Sequence, residues 1–503
     1  MSDTKFHEEI DGWKGYMEWE REPQKKELAF QILAQHPETT HPPEFQLKPL
    51  PSTNPVFNGQ RWKNMHHALG YPFSVMPSAS WDVVNCEKAS DMRHVLEFPY
   101  NGEPPPEKLT DHHITPNKYH FVRNHGGIPD INPATYSLQI DGLVNEPRHL
   151  TLQKLQDPGI FPQETIVATL QCSGNRRSEL SIRYPGGGDE LVNAPWNGGA
   201  IGTARWAGVS LKRIIKYCGG LKTGAKHLEL YGADTYIKNT APGNYIVSVP
   251  WNKVKSHEVF LCWAMNGEPL PKIHSFPLRA VVFGYIGARS CKWLYRIKAL
   301  EAPSKAPVQR EEYLFYNNQV GKHNGSFSYG LSIQETPVSS AIMWPRDRDV
   351  IMHEGKINVK GWAYSGGGRW PERVEVSPDG GFSWYVVPGD RLSKKHRHAW
   401  RLWSIELPLR AEAWVELRCR CWDNALNSQP ASYRDIWNWS LHVQNTQHRV
   451  IVYSVNQQNE STREGLKNLE LQDKPLVPIT LSVKFRGPES IEPGFDDPRD
   501  PDD

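Results

Sequence analysis

From Lys356 to Asp423 apolar residues fall repeatedly at alternate positions, as in KINVKGWAY, RVEVS and WVELRCRCWD, and turn-forming residues such as SPDGG separate the runs. Side chains of a strand point alternately to its two faces, so the pattern predicts half-buried antiparallel strands. Several such strands joined by tight turns predict an immunoglobulin-like β-sandwich over residues 341–452. Over residues 116–300 the pattern is mixed. Strand-like runs (TYSLQIDGLV, TIVATLQC, HLELYGAD, PLRAVVFGYIG) alternate with a helical stretch, LKRIIKYCGG, that two glycines terminate. The expected class is therefore α+β, a mixed α/β domain followed by a sandwich. Residues 1–115 sustain neither period. Ile10, Trp13 and Met17 keep helical spacing and Lys25–Gln35 reads as a helix. From His41 to Thr115, Pro, Asn, His and aromatic residues dominate, as in a largely irregular extension wrapped on another domain. A Pro-rich stretch, EAPSKAPVQREE, opens a linker over 301–340, and 453–503 form a tail whose last 15 residues carry seven acids against one base.

Length and composition narrow the classes. At 503 residues the chain holds two to four domains of ordinary size. With 41 Pro, 39 Gly and 19 Trp it favours turn-rich β architecture over helical bundles. Lys and Arg total 58 against 56 Asp and Glu, so no global field exists to hold nucleic acid or an anionic membrane. Any anion must be bound locally. No apolar run approaches the roughly 18 residues of a membrane span, and the acidic N-terminus resembles neither a secretory nor a transit signal. A cytoplasmic protein is the expectation. The seven cysteines form no CxxC pair, so reduced thiols are expected. His112 and His113 are adjacent and would point apart in a strand, as in a solvated linker rather than a metal pair.

Chemistry concentrates in TLQCSGNRRSEL, residues 169–180, where an apolar strand runs into Cys172, a small-residue turn, and then Arg176 and Arg177. A thiol at a strand end beside cations is placed to be stabilised as thiolate. A buried strand cysteine is also an ordinary small hydrophobe. Two guanidinium groups beside a core thiol favour the first reading, because they are costly there unless an anion or metal centre neutralises them.

The sequence resembles the sulfite oxidase family of molybdenum enzymes, which includes the molybdenum domain of eukaryotic nitrate reductases. The resemblance covers roughly residues 115–452 and rests on FVRNHGGIP at 121, QCSGNRR at 171, WNGGAIGTARWAGVSL at 196, MNGEPLPKIHSFPLR at 265 and GARSCKWLYRI at 287. It implies that Cys172 supplies a thiolate to molybdenum beside a molybdopterin dithiolene. It further implies that Arg123, Asn124, His125, Asp234, His274, Arg279, Ser290, Cys291 and Lys292 hold the pterin and its phosphate. Arg123, Arg177, Trp196 and Tyr313 match the small basic pocket that receives sulfite in the family. The implied reaction is oxidation of sulfite to sulfate, with oxygen or an external acceptor taking the electrons. AWRLW at 399 resembles the sulfite oxidases rather than the nitrate reductases, and the sandwich resembles the family's dimerisation domain, which implies a homodimer. No haem is expected, because the nearest approach to an HPGG haem motif is HPET at 36.

Two positions depart from the family. The arginine that usually follows IWN-Leu, reaching the anion pocket from the second domain, is Ser440 here, after Trp439. The lysine common after the pocket tyrosine is Leu314. Both changes remove positive charge. They keep open a nitrate reductase-like enzyme or another sulfur-oxyanion or sulfoxide oxotransferase. A cofactor-free scaffold on the same folds is the reading from a different class. Arg289 and Trp293 are expected to pack the sheet, and Cys419 and Cys421 to share one core-facing side of a strand.

Overall fold

The structure, a computed structural model, describes residues 47–49, 75–77, 79–96, 99–179, 194–238, 241–317, 320, 330–409, 412–438, 440–456, 458 and 460–471. The N-terminal helical spacings, Trp439 and the acidic tail lie outside them.

Two sheets build the first half. One is five-stranded, in the order Ala241–Pro250, His227–Lys238, Leu294–Leu300, Ser137–Gly142 and Arg148–Thr151; only the pairing of Leu294–Leu300 with Ser137–Gly142 is parallel. The other runs Glu268–Pro269, Val259–Met265, Ile201–Ser210 and Glu164–Gln171, with Arg279–Val282 added on Val259–Met265. Leu138, Ile140, Leu228, Leu230, Val247 and Val249 of the first sheet share a core with Val259, Leu261, Ala280 and Val282 of the second. The helix Leu211–Tyr217 adds Leu211, Ile214 and Ile215 to that core. As its sequence implies, this helix stops at Gly219 and Gly220, whose φ values of +73° and +84° suit glycine, and the Gly220 N–H closes the turn on Ile215 O at 2.9 Å.

The second half is a sandwich. A three-stranded sheet (Ser339–Trp344, Lys356–Tyr364, Arg401–Pro408) faces a five-stranded one in the order Val350–Met352, His448–Val455, Ala413–Asp423, Pro371–Ser377 and Tyr385–Val386. The alternating runs fall on these strands, and Val359, Val374, Val376, Ile405, Leu417, Cys419, Cys421 and Val452 meet between the sheets. SPDGG forms a hairpin turn, held by the Gly381 N–H on Ser377 Oγ at 2.8 Å.

On the face of the Glu164–Gln171 sheet turned away from the first core, Ala168, Leu170 and Cys172 line up with Trp196, Trp206, Phe260 and Val281. The period of two thus delivers the Cys172 thiol to the end of a rigid, packed row. Among the described residues of the extension, the helix Ala79–Glu87 and the strands Arg93–Leu96 and Asn101–Glu103 pack near the same end. The Glu87 carboxylate accepts hydrogen bonds from the backbone of Lys272 and Ile273 at 2.8 and 2.9 Å, fixing the extension to the turn that carries His274.

Candidate functional site

A cavity opens beside Cys172. Arg123, His125, Cys172, Asp234, His274, Arg279, Ser290, Lys292 and Tyr313 all line it. They come from six separate stretches of chain, brought together by strand ends and short turns. Asn124, Arg177, Trp196 and Cys291 stand outside the lining. Asn124 accepts a bond from Lys292 Nζ through its Oδ1 and so orients a lining cation. Cys291 is fully buried in the first core. Trp196 is fully buried in the row with Cys172, edge-on to Phe121 with ring centroids 6.4 Å apart.

Arg279 and Lys292 concentrate positive charge on one part of the cavity wall. Arg279, 4% exposed, lies 4.8 Å above the Trp206 ring. Lys292 stands near Asp234, and a Cβ on Gly232 would lie 2.6 Å from Asp234 Oδ1 and 2.7 Å from Lys292 O, so only glycine admits that approach. Burial pushes Lys292 well below the usual lysine range, with Arg279 adding to the shift, and burial lowers Arg279 to about 10. Asp234 is raised to about 7 by burial, against the pull of Lys292 and Arg123. His274 is likewise held neutral by burial and by Lys88.

Lys88 was not legible as a site residue. Its Nζ donates to Asn117 O at 2.6 Å and His120 O at 2.8 Å, and lies 2.6 Å from His274 Nε2. It follows the helix Ala79–Glu87 in a segment without periodicity.

On the Cys172 side the turn SGNRR separates its two arginines. Arg176 adopts φ +66° and turns to the sandwich. Its guanidinium pairs with both Glu179 oxygens at 2.7 and 2.8 Å and donates to Ser340 O and Thr446 O at 3.1 and 2.8 Å. For this arginine the neutralising anion is a protein carboxylate. Although burial opposes it, Arg176 and then His448 hold the Glu179 carboxyl below the usual carboxylate range. Arg177 has no carboxylate partner among the described residues. It donates from Nε to Leu441 O at 3.0 Å and from Nη1 to Ala194 O at 2.8 Å, and its Nη2 is 3.1 Å from His442 Nδ1. Burial lowers it to about 10.

Tyr313 closes the cavity from the linker, with φ +54°. Its hydroxyl bonds His125 Nε2, and its ring lies 5.3 Å from that of His442. Burial raises the phenol well above its ordinary value, so it keeps its proton. Arg289 supports this arrangement from behind. It donates to Ile333 O, Val308 O and Gln309 Oε1 and lies 5.9 Å over the Tyr313 ring, a packing role as expected. The two departures from the family meet: Ser440 Oγ donates to Leu314 O, and Leu314 is buried with Tyr316 and Val320. His113 is not solvated as expected; its ring stacks on His396 at 5.3 Å, while His112 is exposed.

Comparison with known proteins agrees with this geometry. The family described as "Oxidoreductase molybdopterin binding domain" matches residues 125–308, and the "Mo-co oxidoreductase dimerisation domain" matches 331–455. The chain is 38% identical over 348 residues to sulfite oxidase of Gallus gallus, covering 68% of this chain and 73% of that one, and 33% identical over 371 residues to sulfite oxidase of Arabidopsis thaliana, covering 70% and 92%. The chain belongs to the sulfite oxidase family. The mitochondrial sulfite oxidase of Homo sapiens is 40% identical over 361 residues, 71% of this chain but 64% of that protein's length. A nitrate reductase of Phaseolus vulgaris is 31% identical over 382 residues, 42% of its length. The sulfane dehydrogenase SoxCD of Paracoccus pantotrophus shares the fold, with a TM-score of 0.59 at 24% identity over 72% of this chain and 88% of that one. Among the described residues no helix is long and apolar enough to cross a membrane.

Membership of the sulfite oxidase family brings a molybdopterin-binding domain, and the cavity can be tested for its fit to that group. Arg279 Nε and Asp234 Oδ1, both of cavity-lining residues, are buried without a partner among the described residues. Buried polar atoms of this kind call for a ligand rich in hydrogen-bonding atoms. The donor set of His274, Arg279, Ser290 and Lys292 suits an anionic phosphate, and a soft thiol, Cys172, lines the same cavity. The residues fit.

Proposed function

We propose that the protein oxidises sulfite to sulfate at a molybdenum–molybdopterin cofactor, as a homodimer formed through its sandwich. Arg123, His125, Asp234, His274, Arg279, Ser290 and Lys292 would hold the pterin and its phosphate, with Asn124 orienting Lys292, Cys291 packing the core behind the cavity, and Cys172 as the thiolate ligand to the metal. When bound, the cofactor supplies two-electron oxo transfer, which no amino-acid side chain can provide. Overall, sulfite and water give sulfate, two protons and two electrons, the electrons passing to oxygen or to an external acceptor.

The observation that carries this reading is the convergence of Cys172, Arg123 and Tyr313 on one cavity, with Arg177 behind them. Sulfite is a small, strongly hydrated oxyanion, so its binding needs fixed charged donors that replace its water shell. Arg123 and Arg177 provide the charge, and the protonated Tyr313 hydroxyl, oriented by His125, provides a neutral donor. Burial of Arg177 and Tyr313, with Arg123 half-buried beside them, keeps bulk water away and strengthens each interaction.

An anaerobic titration of the purified protein with sulfite, following the thiolate-to-molybdenum absorption and assaying molybdenum in the same sample, tests the proposal. Bleaching restored by air is expected. Molybdenum without bleaching by sulfite, but with turnover of nitrate, would overturn the substrate assignment. Protein free of molybdenum from a cofactor-competent host would overturn the enzyme reading.

A further inference from the structure

Arg176 and Arg177 are neighbours with the same side chain, yet their partners differ in kind. Arg176 is fixed by a carboxylate, which cancels its charge. Arg177 is fixed equally firmly, by two backbone carbonyls and the imidazole of His442. His442 Nδ1 is also 3.0 Å from Ser173 Oγ. A guanidinium offers only N–H donors, so Nδ1 must be an unprotonated acceptor, and the proton of the neutral ring resides on Nε2. Nε2 bonds no protein atom among the described residues.

Much of the local structure serves to aim this ring. His442 stands between Leu441 and Val443, both in the left-handed region at φ +49° and +53°. That conformation is unfavourable for a non-glycine residue and worse for a branched one, and it persists only where the surroundings over-determine it. Here Asn438 accepts from the His442 N–H at 3.2 Å and donates to the His442 carbonyl at 2.9 Å, while the Val443 N–H donates to Ser173 O at 2.6 Å.

We propose that His442 is a positioning residue of the anion site, a neutral acceptor that fixes the Arg177 guanidinium without neutralising it, so that its full charge remains for a small oxyanion. A carboxylate in the same place would hold the arginine just as well and cancel its attraction. The inference rests on the oxyanion reading of the site. Burial, Arg177, Arg123 and Arg289 all keep the ring uncharged, consistent with this role.

Three variants separate charge from packing: His442→Asn, which keeps a neutral acceptor near the Nδ1 position, His442→Asp, which puts a carboxylate there, and His442→Ala, which removes the acceptor. Each holoenzyme is assayed for sulfite KM and kcat, for thermal stability, and for stabilisation by added sulfate. The Asn variant should keep KM within about threefold of wild type, and the Asp variant should raise it about tenfold or more and lose the sulfate stabilisation. Both should unfold near the wild-type temperature. Equal behaviour of Asn and Asp, or an unchanged KM in the Ala variant, would overturn the inference. Should the Asp variant fail to fold, the Asn and Ala pair decides it, since only the acceptor differs. Should the wild type fail to oxidise sulfite, the functional reading falls, and sulfate stabilisation across the three variants still decides the role of His442.

Discussion

Gly174 offers a direct test of how tightly Arg177 is held. A Cβ built on Gly174 would lie 2.5 to 2.6 Å from Nη2, Cζ and Nη1 of Arg177. Ordinary contacts begin near about 3.5 Å, so in Gly174→Ala the guanidinium must retreat by about 1 Å. Its hydrogen bonds to Leu441 O, Ala194 O and His442 now measure 2.8 to 3.1 Å. A retreat of that size takes them past the limit at which a hydrogen bond persists. Each bond to a charged group is worth about 1.5–3 kcal/mol, so losing all three sets an upper bound of about 4.5–9 kcal/mol. Partial relaxation of the turn leaves an expected destabilisation of about 2–4 kcal/mol. Gly174 itself is not among the positive-φ glycines, so its backbone accepts alanine and the effect comes from the side-chain clash. A misplacement of about 1 Å in a binding group can cost about a hundredfold in kcat/KM. Steady-state kinetics with sulfite, together with thermal unfolding, measure both consequences. The effects of Gly174→Ala and Arg177→Gln should also fail to add, because both act through one guanidinium. A Gly174→Ala enzyme with wild-type KM and wild-type unfolding temperature would refute the reasoning.

Cys172→Ser should abolish sulfite turnover while leaving the unfolding transition of the protein close to wild type, since the thiol packs at a strand end rather than at the centre of a core; activity above background would remove Cys172 as the metal ligand. Lys88→Met should lower the pterin and molybdenum content of purified protein, read by fluorescence of the released pterin and by metal analysis, because it removes the group fixed on His274; unchanged content after extended dialysis would restrict Lys88 to holding the extension. Glu179→Gln should destabilise the protein by about 3 kcal/mol at neutral pH, because it strands the buried Arg176. The folded-state pKa of Glu179 lies below its unfolded value, so its contribution is complete above about pH 4.3 and is lost as pH falls through the lower value. The difference between wild type and variant should therefore shrink progressively in denaturation experiments as pH falls below about 4; a constant difference there would refute the assignment.

The strands of the sandwich and the cysteine at the end of Glu164–Gln171 were legible because each rests on a local rule, alternation in one case and a strand running into a small-residue turn in the other. The cavity residues were legible only through their motifs, as no periodicity brings Arg123, Asp234, His274 and Tyr313 together. Lys88 escaped notice for a physical reason. A single lysine beyond a short helix reads as a solvated side chain, and its burial follows from Glu87 docking the extension on residues 272 and 273. His442 escaped likewise, since the distance from Arg177 in sequence is 265 residues and nothing local marks a strained loop in HVQNTQ. The same sequence did point to lost charge at Ser440 and Leu314, but not to their contact with one another.

The divergence of Arg176 and Arg177 shows how the two halves of the chain share one site. The turn after Cys172 is held by the second half at three levels: Arg176 on Ser340 O and Thr446 O, Arg177 on Leu441 O, and Ser173 O on the Val443 N–H. A protein that needed the sandwich only to dimerise would have no reason to join it to the turn beside its thiol. These bonds make the position of Arg177 depend on the 438–443 loop, and that loop sits between the strands Ala413–Asp423 and His448–Val455. Loosening the sandwich, by emptying its core at Leu417 for example, should therefore raise the sulfite KM through Arg177 before it lowers the cofactor content, because the cavity cations Arg279 and Lys292, like Lys88 beside His274, all belong to the first half.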